Sequence, residues 1–334
     1  MRLNLSVLRR TSWPDAALRA VRAGLGLVWL ASLAPSAQAQ EAAAPVAAGG
    51  GGLSAGALRL RALFDEPASD KGFSYFIGLG QHVQRYEERA SLSDVRSQVT
   101  TRSPMLVAGA LYVLGPDLMF SMDSLSTFAP GRGPERWHAG SNPFNGTPLQ
   151  DTLLQTNQFS LSTNQVLLAG HRRLLPAAPW FGTAGLGFRN LNFKRFDFHA
   201  GVDQVVDLPT DQTVIEDSAE VLLHAGLSLD SEQVRGAPSH HGLRITVATP
   251  VWRRVENSQF PLQRYSDSFG GWDLSLEGRY SVAVLPQVHV GGWARAATLQ
   301  RQRIRVPLAD GRTSELPRSR LDSLSWGLEL LWKL

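Results

Sequence analysis

From residue 72 to its last residue the chain alternates between apolar and polar side chains with a period of two. That period belongs to a β-strand with two unlike faces, and no comparable helical period accompanies it. At the C-terminus Leu324, Trp326, Leu328, Leu330, Trp332 and Leu334 share one face, and Ser325, Gly327, Glu329 and Lys333 share the other. Trp272, Leu274, Leu276, Tyr280, Val282 and Val284 against Asp273, Ser275, Glu277, Arg279 and Ser281 repeat the pattern. Ten such strands are predicted, at 72–88, 98–114, 117–128, 154–174, 179–196, 213–229, 241–254, 268–284, 287–303 and 318–334. Short connections follow strands 2, 4 and 8, while those after strands 1, 3, 5, 7 and 9 are mostly long and polar. An even strand count with short turns at one end and long loops at the other points to an all-β fold, a transmembrane antiparallel up-and-down β-barrel of about 10 strands.

Alternation alone does not separate this fold from a soluble barrel or sandwich, which turns its apolar face inward. The aromatic residues make the distinction. Phe73, Tyr75, Tyr112, Trp180, Tyr280 and Trp332 would fall at the short-turn rim, and Phe128, Phe196, Trp252 and Trp272 at the long-loop rim. Amphipathic rings prefer the headgroup level of a bilayer, so two girdles are expected. A closed barrel also leaves no strand edge unpaired, as lipid requires.

The start of the chain has a different composition. Arg2, Arg9, Arg10, Arg19 and Arg22 stand against Asp15 alone, an apolar stretch runs from Ala23 to Ala34, and Ala37-Gln38-Ala39 closes the segment. Basic head, short apolar middle and Ala-x-Ala end are the parts of a secretory signal peptide, assigned to 1–39. Its removal leaves equal numbers of basic and acidic residues, so the basic pI is no argument for nucleic acid. Residues 40–71, beginning with an Ala- and Gly-rich run, are expected to form a flexible periplasmic linker ahead of a barrel over 72–334. Within that run Gly52-Leu53-Ser54-Ala55-Gly56 has the spacing of a hydrolase elbow without the strand and helix the elbow requires.

Much chemistry is excluded. The chain has no cysteine, which removes disulfides, cysteine-ligated metals and thiol catalysis. Past residue 40 no apolar run approaches the roughly 18 residues of a membrane helix. Lys71, Lys194 and Lys333 are the only lysines, and none stands in a phosphate-binding loop motif. Gly78-Leu79-Gly80 and Gly185-Leu186-Gly187 lack the third glycine of a dinucleotide site and are expected to relieve crowding inside a narrow barrel. No cofactor and no metal site is expected.

The ending Leu328-Glu329-Leu330-Leu331-Trp332-Lys333-Leu334 resembles the C-terminal targeting signal of bacterial outer-membrane β-barrel proteins, with Leu334 in place of the usual final Phe. In that resemblance Leu330, Trp332 and Leu334 form the assembly signal, read by the barrel assembly machinery. It implies a Gram-negative outer membrane, with that membrane's lipid and lipopolysaccharide as neighbours. The resemblance is to a superfamily and to no functional family within it. The omptin proteases, which have ten strands, resemble one another in an Asp pair facing an Asp-His pair across the outer mouth. This chain has Asp197-Phe198-His199 but no facing Asp-x-Asp, only Asp123. The outer-membrane phospholipase pairs a His and a Ser two positions apart, a spacing that His138-Ala139-Gly140-Ser141 does not have.

Two sets of residues remain as functional candidates. Asp123, Arg189, Glu220, His224, Arg244, Glu277, Arg279, Arg295 and Glu329 take inward positions and are expected to form a polar network filling the lumen. The connection 129–153, the longest, carries Arg132, Arg136, Trp137 and Phe144 among prolines and glycines, and is expected to be the main outward contact surface, the alternative being that Trp137 and Phe144 fold back to cap the barrel mouth. Its guanidinium groups suit phosphate or carboxylate, as on lipopolysaccharide. The expected function is therefore non-enzymatic: a structural barrel, or one that binds an external ligand through its loops. A narrow channel or transporter and a barrel hydrolase are the alternatives. Cleavage is predicted after Ala39; intact-mass measurement on envelope protein should show residues 1–39 gone, and their retention would refute the assignment.

Overall fold

The computed structural model describes residues 72–91, 94–140, 150–174, 180–201, 212–230, 238–308, 311 and 313–334. The predicted signal peptide and linker, and Phe144, lie outside the described residues. Among those described, the chain forms strands and no helix: β1 (Gly72–Ala90), β2 (Val95–Gly115), β3 (Leu118–Thr127), β4 (Arg132–Ala139), β5 (Leu153–Arg173), β6 (Trp180–Ala200), β7 (Val214–Asp230), β8 (Ser239–Asn257), β9 (Arg264–Asp267), β10 (Gly271–Leu285), β11 (Val288–Arg301), β12 (Ile304–Pro307), β13 (Thr313–Leu316) and β14 (Arg318–Lys333).

Every pairing in the main sheet is antiparallel, and the sheet closes on itself. β1 bonds β2; β2 bonds both β3 and β4, and both of these bond β5. The ring continues through β6, β7 and β8, which bonds β9 and β10, then through β11 and β14 back to β1. β3 with β4, and β9 with β10, are each one wall strand interrupted by a break, so the ring has the ten strands expected. β12 and β13 form a hairpin outside the ring.

Polarity is inverted relative to a soluble fold. Buried positions hold His82, Gln84, Arg189, Glu220, Asp273 and Glu329, while Ile77, Leu79, Leu168, Leu186, Leu227, Val247 and Leu328 are exposed. Water would penalise such an exterior and hydrocarbon would not, so the outward band is a lipid surface. At the short-turn rim Tyr75 stacks on Trp332 at 5.0 Å, across the β1–β14 seam, as expected, but Phe196, expected at the long-loop rim, lies eight residues past Phe188 on β6, beyond the apolar band.

The band covers only part of the wall. On β2 the outward positions Pro104, Leu106, Ala108, Ala110, Tyr112 and Leu114 are apolar or small, but Arg96, Gln98, Thr100 and Arg102 above them are polar. On β5 the change falls between Val166 and Asn164. About ten residues of each of these strands therefore stand beyond the lipid; at about 3.3 Å per residue and the usual tilt, the wall rises roughly 20 Å above it.

Two expectations about sequence patches resolve here. Gly78 and Gly80 do relieve crowding: a Cβ on Gly78 would lie 3.0 Å from Trp293 Nε1, and one on Gly80 2.9 Å from the same ring. Likewise a Cβ on Gly187 would lie 2.5 Å from His224 Nε2. The connection 129–153, by contrast, is not one long loop, because Arg132–Ala139 is wall strand β4, bonded on both edges. Gly131 and Gly133 serve close backbone approach, since a Cβ on Gly133 would lie 2.4 Å from the Thr100 carbonyl oxygen. Pro134, paired opposite Gln158, is accommodated within the strand.

Leu328 lies mid-band on β14 and faces out. Leu328→Arg is expected to cost about 2–4 kcal/mol of stability in lipid, whereas Ser162→Arg, outward but above the band, should stay within about 0.5 kcal/mol. Urea unfolding in lipid vesicles compares them; equal shifts would refute the placement of the band.

Candidate functional site at the outer mouth

Side chains of different chemistry follow one another in layers along the lumen. At the short-turn end Val113, Met119 and Phe181 pack together, with Leu111 against them. Within the band, Arg244 reaches Asp123 at 2.6 Å and Glu277 at 3.2 Å, and Arg279 reaches Glu277 at 2.8 Å and Glu329 at 3.3 Å. Phe76 lies under the Arg279 guanidinium, 3.7 Å from ring centre to Cζ. Further along, Arg189 binds Glu220 at 2.6 Å and Asp273 at 2.5 Å, and Arg253 binds the other Glu220 oxygen at 2.7 Å. Each carboxylate is thereby fixed by hydrogen-bonded guanidinium, the only arrangement in which charges so buried are tolerable.

Seven of the nine residues expected in this network therefore meet in ion pairs. His224 and Arg295 do not: among the described residues neither has an ion pair, and both ring nitrogens of His224 lack a hydrogen-bond partner. Both instead border a cavity of about 30 Å³, next to others of about 40 and 70 Å³. Each could hold a few ordered waters.

Above the band the lumen is stopped by an aromatic layer. Tyr86 stacks on Phe159 at 5.2 Å and meets Phe193 at 5.0 Å, with Val99, Leu161, Leu191, Leu299 and Leu321 around them. Arg195 sits on this layer, 5.3 Å from Phe159, 5.8 Å from Tyr86 and 5.3 Å from Trp137. Its nitrogens donate to Glu88 at 2.7 Å and to Glu135 at 2.9 Å. Beside it Arg301 pairs with Glu216 at 2.7 Å. Sequence reasoning missed Arg195, Glu88, Glu135, Arg253, Arg301 and Glu216; continuing the inward alternation of β1, β4, β6, β7 and β8 past the apolar band would have found most of them.

On top of this floor opens a cup of about 370 Å³, its wall including Trp137, Phe198, Phe260, Tyr265, Gln155, Asn257, Glu88 and Glu216. One side is covered by the β12–β13 hairpin. Ile304 and Leu316 pack against Val255 and Tyr265, and the Tyr265 and Ser314 hydroxyls hydrogen-bond. Glu315 accepts from the Ser91 backbone N–H at 2.8 Å and from Arg305 at 3.0 Å. Burial alone would raise the Glu315 carboxyl, but these bonds outweigh it and hold it below the usual carboxylate range.

The four expected contact residues separate. Trp137 faces inward, where its indole N–H donates to Asn157 at 2.8 Å, because strand alternation turns it to the lumen. Of the two expectations for Trp137, it is the cap over the mouth that its position fits, not the outward contact surface. Arg132 and Arg136 do face out. Leu330, Trp332 and Leu334 lie on the outward side of the seam strand. Among the described residues no group of three or more His, Asp or Glu gathers to hold a metal.

No protein-family model and no curated protein matches the chain. Among solved structures it is similar to the outer membrane protease OmpT from Escherichia coli, with a TM-score of 0.59 and 11% identity over 80% of this chain and 99% of that one. The fold is that of the bacterial outer-membrane β-barrels. Weaker likenesses are to outer membrane protein OprG from Pseudomonas aeruginosa (TM-score 0.33, 10% identity, 80% and 99% covered) and the translocator domain of autotransporter NalP from Neisseria meningitidis (0.33, 9%, 83% and 94%). At these identities the likeness concerns the fold alone. Asp197 and His199 lie 3.1 Å apart, both well exposed, with Phe198 turned inward between them. Asp123 is engaged elsewhere, by Arg244.

Arg195→Leu is expected to destabilise the barrel by about 3–5 kcal/mol, because it strands two buried carboxylates. Arg254→Ala, at an exposed pair with Glu256, should cost under about 1 kcal/mol. Unfolding midpoints in detergent check the contrast, which equal losses would refute.

Proposed function

We propose that the protein is a surface-binding barrel of the Gram-negative outer membrane: a closed stem that holds a ligand cup above the lipid, without catalysis of its own. On this reading the N-terminal segment directs export, and the last strand is read by the barrel assembly machinery. The observation that carries it is the distribution of space along the lumen. The spaces described among the ion pairs of the stem hold about 30, 40 and 70 Å³, whereas the cup above the Tyr86–Phe159–Phe193 layer holds about 370 Å³. The latter volume suits a small molecule or a short chain segment, and mixed aromatic, amide and carboxylate walls are those of a recognition site.

The layered stem argues against the narrow-channel reading, since ions would have to cross the apolar Tyr86–Phe159–Phe193 layer. The barrel-hydrolase reading would need groups converging on one bond. The pair Asp197 and His199 faces solvent with no second carboxylate pair described opposite it.

Purified protein in planar bilayers is expected to show no stepwise conductance, while Tyr86→Ala with Phe159→Ala and Phe193→Ala, which empties the apolar layer, should introduce it. Steady conductance of the unaltered protein would overturn the closed-stem reading in favour of a channel. Hydrolytic activity abolished by His199→Ala would overturn the non-enzymatic one.

A further inference from the structure

The outer wall above the apolar band carries cations of two kinds. Some are neutralised in place: Arg85 by Glu87, Arg96 by Asp151, Arg254 and Arg264 by Glu256, Arg320 by Asp322. Arg132 and Lys194 are not. Among the described residues neither has a carboxylate partner, and both lie against one ring, the Arg132 guanidinium 5.1 Å and the Lys194 ammonium 5.6 Å from the centre of Phe196. The sheet register brings them together, since Arg132 pairs with Ser160 on β5 and Ser160 pairs with Lys194 on β6. Arg102, on neighbouring β2, is a third outward cation with no carboxylate partner among the described residues, and its backbone abuts Gly131 next to Arg132.

We propose that Arg132 and Lys194, with Arg102 beside them, form a binding site for the phosphorylated saccharide headgroup of an outer-leaflet glycolipid. Two cations without carboxylate partners, gathered about one aromatic ring, can hold a phosphate between them. Height selects the glycolipid over an ordinary phospholipid. Lys194 lies six residues beyond Phe188, the last exposed apolar residue in that direction on β6, with Asn190 and Asn192 between. That is about 20 Å along the strand and, at the usual tilt, about 14 Å above the lipid edge. A phospholipid headgroup layer extends only about 5–8 Å beyond the hydrocarbon. A phosphate carried on a sugar core reaches the site.

The inference rests on the outer-membrane placement proposed above and is tested separately from it. Full-length protein in detergent is titrated with fluorescent deep-rough lipopolysaccharide, the same molecule dephosphorylated, phosphatidylglycerol and inorganic phosphate. Arg132→Gln with Lys194→Gln is compared with Arg254→Gln with Arg264→Gln on the far wall, and heat-modifiability confirms that both variants are folded. The first pair should weaken lipopolysaccharide binding about 30-fold, roughly five-fold per cation. The far-wall pair should leave it unchanged, and dephosphorylation should cost the unaltered protein as much as the first pair does. Unchanged affinity in the first pair would overturn the site. Phosphatidylglycerol bound as tightly and lost to the same extent would overturn the choice of glycolipid, and displacement by millimolar inorganic phosphate would show a free-anion site instead. Absence of the protein from the outer-membrane fraction, with binding intact in detergent, would count against the placement and not against the site.

Discussion

Closure of β1 against β14 is the constraint on which the rest of the molecule depends. Register runs without a break from Ser74 opposite Lys333 to Arg89 opposite Arg318. In hydrocarbon an unpaired strand edge would leave a row of unsatisfied N–H and C=O groups, each costing several kcal/mol. Ten strands closed in this way enclose a narrow interior, and the narrowness has consequences at the level of single residues. Trp293 fits only because Gly78 and Gly80 have no side chains, and His224 only because Gly187 has none. Long charged side chains from opposite walls, such as Arg244 on β8 and Asp123 on β3, are brought into hydrogen-bond range.

The interior therefore differs from the core of a soluble domain, because much of it consists of compensated charge. Desolvating each ion is expensive, and the recovery comes from geometry: Arg189 is shared by two carboxylates, Glu220 by two guanidiniums, and Arg195 by two carboxylates and three aromatic rings. Such a network tolerates little change at one member, which gives the stem stiffness and leaves variation to the outward positions above the lipid. There a side chain faces water on one side and its own strand on the other, so charge is cheap.

Legibility in the sequence follows the lipid. Where a strand crosses hydrocarbon, as at Leu324 to Leu334, both faces are constrained and the alternation is complete; the ten-strand ring could be read from such segments. Above the band the outward face is released, and Arg132, Pro134, Arg136 and His138 alternate with Gly133, Glu135, Trp137 and Ala139 in a strand that looks like a loop by composition. For the same reason Glu88 and Arg195, which line the cup, are marked by no apolar neighbours and are found only by extending the alternation upward from the band. Asp123, Glu277 and Arg279 were legible because apolar neighbours marked their register. Contacts such as Arg132 and Lys194 about Phe196 depend on strand neighbours in space, which no one-dimensional pattern states.

The β12–β13 hairpin leaves the ring after β11, leans on Val255 and Tyr265 of β8 and β9, and reaches Ser91 at the far end of β1 before the chain enters β14. It thus ties together the first and last strands at the mouth. A chain arrested with its seam open would have a stem wall but no finished cup, so a molecule that recognises the cup distinguishes completed barrels from stalled ones.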